Sequence, residues 1–159
     1  MNILNLSDLD PQPFPFPMPE SAKEKYEGAK IGFVSDKIGA KKLGYNLTVL
    51  PPGKRAFPFH NHVANEELFF VLEGEGEVRI GEKTYPIKKG DFIACPAGGK
   101  ELAHQIVNTS DGELRYLAIS TKISPEVAEY PDSGKFGVST HDFRFIGRAD
   151  QSLDYWEGE

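Results

Sequence analysis

From Ile31 onwards the chain alternates apolar and polar residues in steps of two, and a turn signal breaks the alternation about every ten residues. Leu43, Tyr45, Leu47 and Val49 alternate with Gly44, Asn46 and Thr48 until Pro51-Pro52-Gly53 stops them. This reads as a half-buried strand with Tyr45 on its core face. Glu67 to Leu72 is apolar on both phases after the acid, so that strand needs cover on both faces. Gly74-Glu75-Gly76 turns the chain ahead of Val78 and Ile80, and Gly81-Glu82 turns it again ahead of 84–87. Lys88-Lys89-Gly90-Asp91, Pro96 and Asn108-Thr109-Ser110-Asp111-Gly112 bound strands predicted over 92–95, 102–107 and 114–120. Many short strands, each with one or two apolar faces, share a core as a sandwich or barrel. No helical periodicity exceeds two turns.

A chain of 159 residues supports one domain with its own core. Asp and Glu total 24 against 18 Lys and Arg, and no basic stripe alternates with aromatics, which argues against a nucleic-acid partner. The single Cys, Cys95, excludes an internal disulfide framework and fits a reducing, cytoplasmic setting. Met1-Asn2-Ile3-Leu4-Asn5 lacks the basic start and apolar run of a signal peptide, and no apolar run is long enough for a membrane span.

Both ends differ from the middle. Residues 1–28 are expected to form an N-terminal arm. Alternate prolines over Pro11 to Pro19 fix φ and remove donors, giving an extended segment whose Phe14, Phe16 and Met18 pack on the barrel or on a second subunit. Glu20 to Glu27 suits one or two helical turns. Residues 122–159 form a C-terminal extension in which Ser124-Pro125-Glu126 suits a helix start. Phe143, Phe145, Leu153, Tyr155 and Trp156 are too much apolar area to leave in water, so this segment should wrap the barrel or cover its mouth.

Three of the four histidines belong to one constellation, His60, His62 and the later His104. His60 and His62 point the same way if the backbone is extended. A carboxylate follows within one short turn. Two imidazoles and a carboxylate on one face, with positions left open, suit a mononuclear divalent metal such as Fe(II), although a His-x-His pair beside Asn and Glu is also what a solvated turn looks like.

The spacing around these residues decides more. Gly53, His60, His62, Glu67 and Gly74 form one block; Gly90, Pro96, Gly98, His104 and Asn108 form a second. Together they resemble the two sequence motifs of the cupin superfamily, across about residues 43 to 120. The Gly53–His60 interval is one residue longer than the family pattern, and the Gly98–His104 interval three residues longer. The resemblance implies an all-β fold, a double-stranded β-helix (jelly-roll) barrel over residues 29–121. It implies one divalent ion (Fe, Mn, Ni or Zn) held by His60, His62, Glu67 and His104. Glu101 stands where the unextended spacing would put a His and is a weaker candidate ligand.

Phe69 and Val71 share the phase of Glu67 and should line the cavity below the metal; Ile106 shares that of His104. The loop Gly98–Ala103 should border the opening, with Lys100 and Glu101 beside any ligand. Cys95 reads as packing, Lys54 and Arg55 as solvated or anion-binding, and His141 as a surface residue. Two functions stay open. One is an oxygenase, decarboxylase or isomerase acting on a small oxygenated molecule, with no catalytic base identified. The other is a non-catalytic binding or storage module. A homodimer is expected from the apolar arm and the two-faced strand.

Overall fold

A computed structural model describes residues 2–159; Met1, the first residue of the expected arm, lies outside the described residues. In chain order the elements are β1 (Gln12–Pro13), α1 (Glu20–Tyr26), β2 (Lys30–Phe33), α2 (Ser35–Ile38), β3 (Leu43–Leu50), β4 (Asn61–His62) and β5 (Glu67–Glu73). There follow β6 (Glu75–Ile80), β7 (Lys83–Lys88), β8 (Phe92–Cys95), β9 (His104–Val107), β10 (Leu114–Thr121), β11 (Glu126–Tyr130), β12 (Lys135–Ser139) and β13 (Arg144–Gly147).

One sheet runs β1-β2-β3-β10-β5-β8. The opposite wall consists of β7-β6-β9 and β13-β12-β11-β4. An antiparallel bridge between His60 and His104 links these two pieces, with each backbone N–H donating to the other's carbonyl at 3.2 and 2.8 Å. The walls enclose a core that includes Leu50, Phe69, Val71, Val78, Ile106, Leu114 and Tyr116. The spacing of strands and turns implied a sandwich or barrel, and the arrangement is the double-stranded β-helix that the cupin resemblance implied. The tight turns are built on glycine where nothing larger fits: at Gly74, between β5 and β6, φ is 81° and a Cβ would collide with the Glu113 carbonyl.

Strand β3 carries apolar residues on both faces. Leu50 joins the barrel interior, whereas Leu47 and Val49 join a second cluster with Leu9 and Val34, flanked by Leu4, Leu6, Tyr45 and Leu72. Tyr45 therefore packs on a core cluster together with Leu47 and Val49, as its phase implied, on the face of β3 turned away from the cavity. Asn46 instead faces the cavity, and Thr48 donates to its Oδ1 at 3.0 Å. The N-terminal segment supplies the cover: its leucines shield the outer face, and Phe14 meets Phe57 edge to face at 5.1 Å between ring centroids. On the outer face of β5, Leu72 packs against the cluster that contains Leu9, Val34, Leu47 and Val49. Phe70 lies against Phe92, which is 70% exposed.

The C-terminal extension departs from expectation. The Ser124–Pro125 peptide is cis and β11 begins at Glu126, so no helix starts there. Pairing decides it: Ala128 and Glu129 lie opposite His62 and Asn61, and the rest of β11 pairs with β12. The strand expected from Leu102 begins at His104, after a 3-10 turn at Lys100–Leu102. Among the described residues no helix is long and apolar enough to cross a membrane.

Candidate metal centre

The two histidines ride on a short strand whose opposite side is anchored. Asn61, between them, is buried and donates to Gly98 O at 2.8 Å and to Glu129 Oε2 at 3.0 Å. That fixes β4 against its neighbours and turns His60 and His62 to the other face. Glu67 enters from the first residue of β5, and His104 from the first residue of β9. Ligand atoms of His60, His62 and Glu67 all lie within 4.8 Å of one another. His104 Nε2 lies 3.0 Å from Glu67 Oε2. The structure brings all four predicted residues together, with the first three forming the compact group and His104 hydrogen-bonded to its carboxylate.

Each ring has a partner on its far side. His60 Nδ1 is 2.8 Å from Pro58 O, so it carries the proton and leaves Nε2 bare toward the pocket. His62 presents Nε2 to Glu67, 3.4 Å from Oε2, while its Nδ1 faces Glu126 Oε2 at 3.6 Å. That Nδ1 is buried and has no hydrogen bond in this geometry, so a small closure onto Glu126 would satisfy it.

Glu126 lies outside the residues singled out by sequence. Its Oε1 accepts from the backbone N–H of Val63, Ala64 and Val127, and its Oε2 from that of Asn65. The Asn65 amide also donates to Oε2. Asn65 Oδ1 accepts in turn from Ile123 N and Thr121 Oγ1. The turn between His62 and Glu67 is therefore shaped by β11. Only the acid's position just after a proline could have drawn notice to it, and that pattern also fits a helix start.

The electrostatics suit a cation. Burial holds the His60 pKa down to about 4, against the pull of Glu67, so the ring is neutral at pH 7. Burial opposes charge on Glu67 too, but hydrogen bonds from His104 and His62 outweigh it and keep the carboxylate ionised, well below the usual range. His62 is moved up: burial disfavours its charge, and the hydrogen bond and charge of Glu67, followed by Glu126, prevail. Glu126 is held down by the donors of Ala64 and Asn65 despite burial. His60 presents a bare Nε2 beside an ionised carboxylate, a pairing that suits Fe, Mn, Ni or Zn, and binding an ion would require His62 and His104 to give up the hydrogen bonds they donate to Glu67.

The group opens into a cavity of about 330 Å³. Phe69 and Ala118 form its floor, as the phase of Glu67 implied for Phe69; Val71 is fully buried beneath. Asn46, Tyr130, Ser139 and Arg144 supply the remaining polar lining. Three of these belong to the C-terminal strands, which form the wall of the mouth. Lys100 and Glu101 do not border it. They lie beside Gly81, Glu82 and Lys83 on the outside, because Gly98 N bonds to His62 O and the 3-10 turn then leads away. Glu101 is no part of the metal-capable group.

The remaining candidates are accounted for locally. Lys54 donates to Glu24 O at 2.8 Å and Arg55 to Gln105 Oε1 at 3.4 Å. Cys95 is buried, and burial together with Glu67 pushes its thiol up to about 12. His141 is exposed, on an outer cleft that also touches His62 and Glu126. Asn108, the last residue of the second block, is structural: it donates to Leu50 O and Gly112 O and accepts from Ser110.

Comparison with known proteins agrees with this geometry. The cupin domain family model matches residues 46–120. That match takes in 75 of the 159 residues, and the barrel with its clustered His and Glu resembles what the two cupin motifs imply. A sugar phosphate isomerase of the cupin superfamily from Silicibacter pomeroyi superposes with a TM-score of 0.83 at 26% identity, over 96% of this chain and 97% of that one. A putative sugar phosphate isomerase from Acidithiobacillus ferrooxidans gives 0.71 at 26% identity, over 79% and 80%. The oxalate-binding protein of Thermotoga maritima is 36% identical over 70 residues, 44% of this chain and 54% of that protein. The match spans about half the length of that curated relative.

Proposed function

We propose that this cupin is a divalent-metal-dependent isomerase of a small phosphorylated sugar, with His60, His62, Glu67 and His104 as the metal-binding set. The observation that carries the reading is the composition of the cavity. A metal-capable group shares about 330 Å³ with one arginine and with the amide and hydroxyls of Asn46, Tyr130 and Ser139. Such a lining suits a molecule with several hydroxyls and one anionic group. Arg144 is the group to bind a phosphate, through its planar fork of donors. Asn46, Ser139 and Tyr130 would orient hydroxyls, and Phe69 and Ala118 exclude water from beneath. When bound, the metal ion would polarise a carbonyl oxygen as a Lewis acid. The full-length likeness to the sugar phosphate isomerase supports the same substrate class.

A second reading, a metal-dependent binding module, rests on one feature. Apart from His60, His62, Glu67 and Glu126, the cavity lining holds no imidazole, carboxylate or thiol to serve as an independent base. Oxygenation and decarboxylation have less support, since nothing in the pocket distinguishes them. The experiment uses purified protein loaded in turn with Fe(II), Mn(II), Ni(II) and Zn(II). It is mixed with aldose and ketose phosphates in D₂O and followed by proton NMR. Metal-dependent interconversion with deuterium entering the carbon next to the carbonyl is the expected result. Saturable binding without exchange would replace the isomerase with the binding module.

A further inference from the structure

The segment that follows β13 has no partner in its own chain. Among the described residues, every hydrogen bond made by residues 148–159 stays within the segment. A 3-10 turn at Ala149–Gln151 leads to Leu153, Tyr155 and Trp156, which are 73%, 84% and 72% exposed. The Tyr155 and Trp156 rings meet each other edge to face, 4.9 Å between centroids. Four carboxylates, Asp150, Asp154, Glu157 and Glu159, stand among them against one arginine, Arg148. Tyrosine and tryptophan gathered on so short a segment make a surface that a partner normally covers.

A surface of matching character lies between the N-terminal arm and the C-terminal strands. It is a groove of about 460 Å³ walled by Phe14, Phe16 and Met18 from the arm and Ile146 from β13. Lys135 and Arg144 line it and no Asp or Glu does, in a chain of net charge −6. Among the described residues neither cation has an ion pair. Aromatic faces hold them instead: Lys135 Nζ lies 5.5 Å from the centre of the Tyr130 ring, and Arg144 Cζ 5.7 Å from that of Phe16. The groove is apolar and cationic and the tail apolar and anionic, so each supplies what the other lacks. No residue of the tail lines the groove of its own chain. To reach it the tail would have to reverse at Arg148–Ser152 and break the bonds from Gln151 N to Arg148 O and from Ser152 N to Ala149 O. The tail of a second copy meets no such obstacle.

We propose that two copies of this chain exchange tails, the segment 148–159 of each docking in the groove of the other. The partner's Tyr155 and the partner's Trp156 pack against Phe14 and Phe16. A carboxylate of the partner's tail pairs with Lys135, and Arg144 stays turned to the cavity. Reciprocal exchange uses both tails and both grooves, so it closes as a two-fold pair and not as an open chain. His60, Tyr130 and Arg144 line both the groove and the metal-capable cavity. The docked tail therefore completes the mouth of each cavity with residues from the other chain. This inference rests on the two surfaces alone and is independent of the sugar phosphate reading.

Trp156 is the only tryptophan in the chain, so its fluorescence reports on the tail directly. In the wild-type protein its emission is expected at shorter wavelength than in the urea-unfolded chain, and shielded from acrylamide. Two variants are then compared, each checked for the wild-type circular dichroism spectrum. Phe16→Glu places a carboxylate in the groove at a residue that is 55% exposed, so the fold does not depend on it. Trp156→Ala removes the reporter and keeps the groove. Alone, Phe16→Glu should lose the shielding and shift its emission to the unfolded wavelength, and Trp156→Ala gives no tryptophan signal. After the two are mixed and left to exchange subunits, intact tails of the first meet intact grooves of the second, and the shielded, shorter-wavelength emission should return. Lys135→Met serves as the groove variant if Phe16→Glu fails to fold. A shielded wild type with no recovery on mixing would mean that each tail covers its own groove, and exchange would be wrong. Shielding that survives both groove variants overturns the groove as the seat of the tail. Wild-type emission as accessible as that of the unfolded chain overturns docking altogether.

Discussion

Behind His60 and His104 stand the carbonyls of Pro58 and Leu102, and behind His62 the Glu126 carboxylate, so the imidazoles differ in what their surroundings do to them. Partners behind a ligating histidine set its orientation and basicity, and losing one costs about 10- to 100-fold in metal affinity. Glu126→Ala should show a loss of that size in competition with a chromophoric chelator; His62→Ala should abolish binding, and His141→Ala should leave it unchanged. An unaltered affinity in Glu126→Ala would remove it from the metal set. The pKa directions give a pH prediction for the metal-free protein. The folded pKa of His60, about 4, is below its unfolded value of 6.5. The unfolded chain therefore binds the extra proton between those values, and stability present above pH 6.5 is lost as pH falls toward 4. Glu67, also depressed, adds to the loss below about pH 4.5. His62, raised, acts oppositely: its contribution is present below pH 6.5 and is lost as pH rises through its folded value. The His60 term is on the order of 3 kcal/mol before that offset. Thermal melts should show the midpoint falling from pH 6.5 to 4.

At the scale of elements, strands β5 to β10 were legible because their alternation and their Gly and Pro stops are local properties. Strands β11 to β13 were not. They are four or five residues long, and Tyr130-Pro131-Asp132-Ser133-Gly134-Lys135 reads as connector, so only pairing with one another, and of β11 with β4, makes them strands. The same limit hid Glu126 and Arg144, whose roles depend on what lies opposite them. His60, His62, Glu67 and His104 were legible through their spacing, whereas the position of the loop Gly98–Ala103 depends on a backbone bond to His62 that no spacing reveals. The β5–β6 turn offers a direct check. Gly74→Ala places a Cβ against the Glu113 carbonyl at φ 81° and should cost about 2 kcal/mol or more, read from denaturant midpoints. An unchanged midpoint would mean the turn relaxes freely.

For the whole molecule, the outer face around Phe70 and Phe92 is the surface we propose to be covered by a second copy. Sedimentation velocity at low micromolar concentration should show a dimer, with more than about 1,000 Å² buried in total; monomer alone would refute it. The tie between Glu126 and the turn at Asn65 spans 61 positions of sequence, and that between Glu67 and His104 spans 37. Contacts so far apart close late, because the loop entropy is spent before they give anything back. On a ribosome, a nascent chain that has emerged only as far as His104 would already expose three loose histidines and Glu67. It would lack the strand that shapes their turn. The proposed metal site is therefore complete only in the finished barrel.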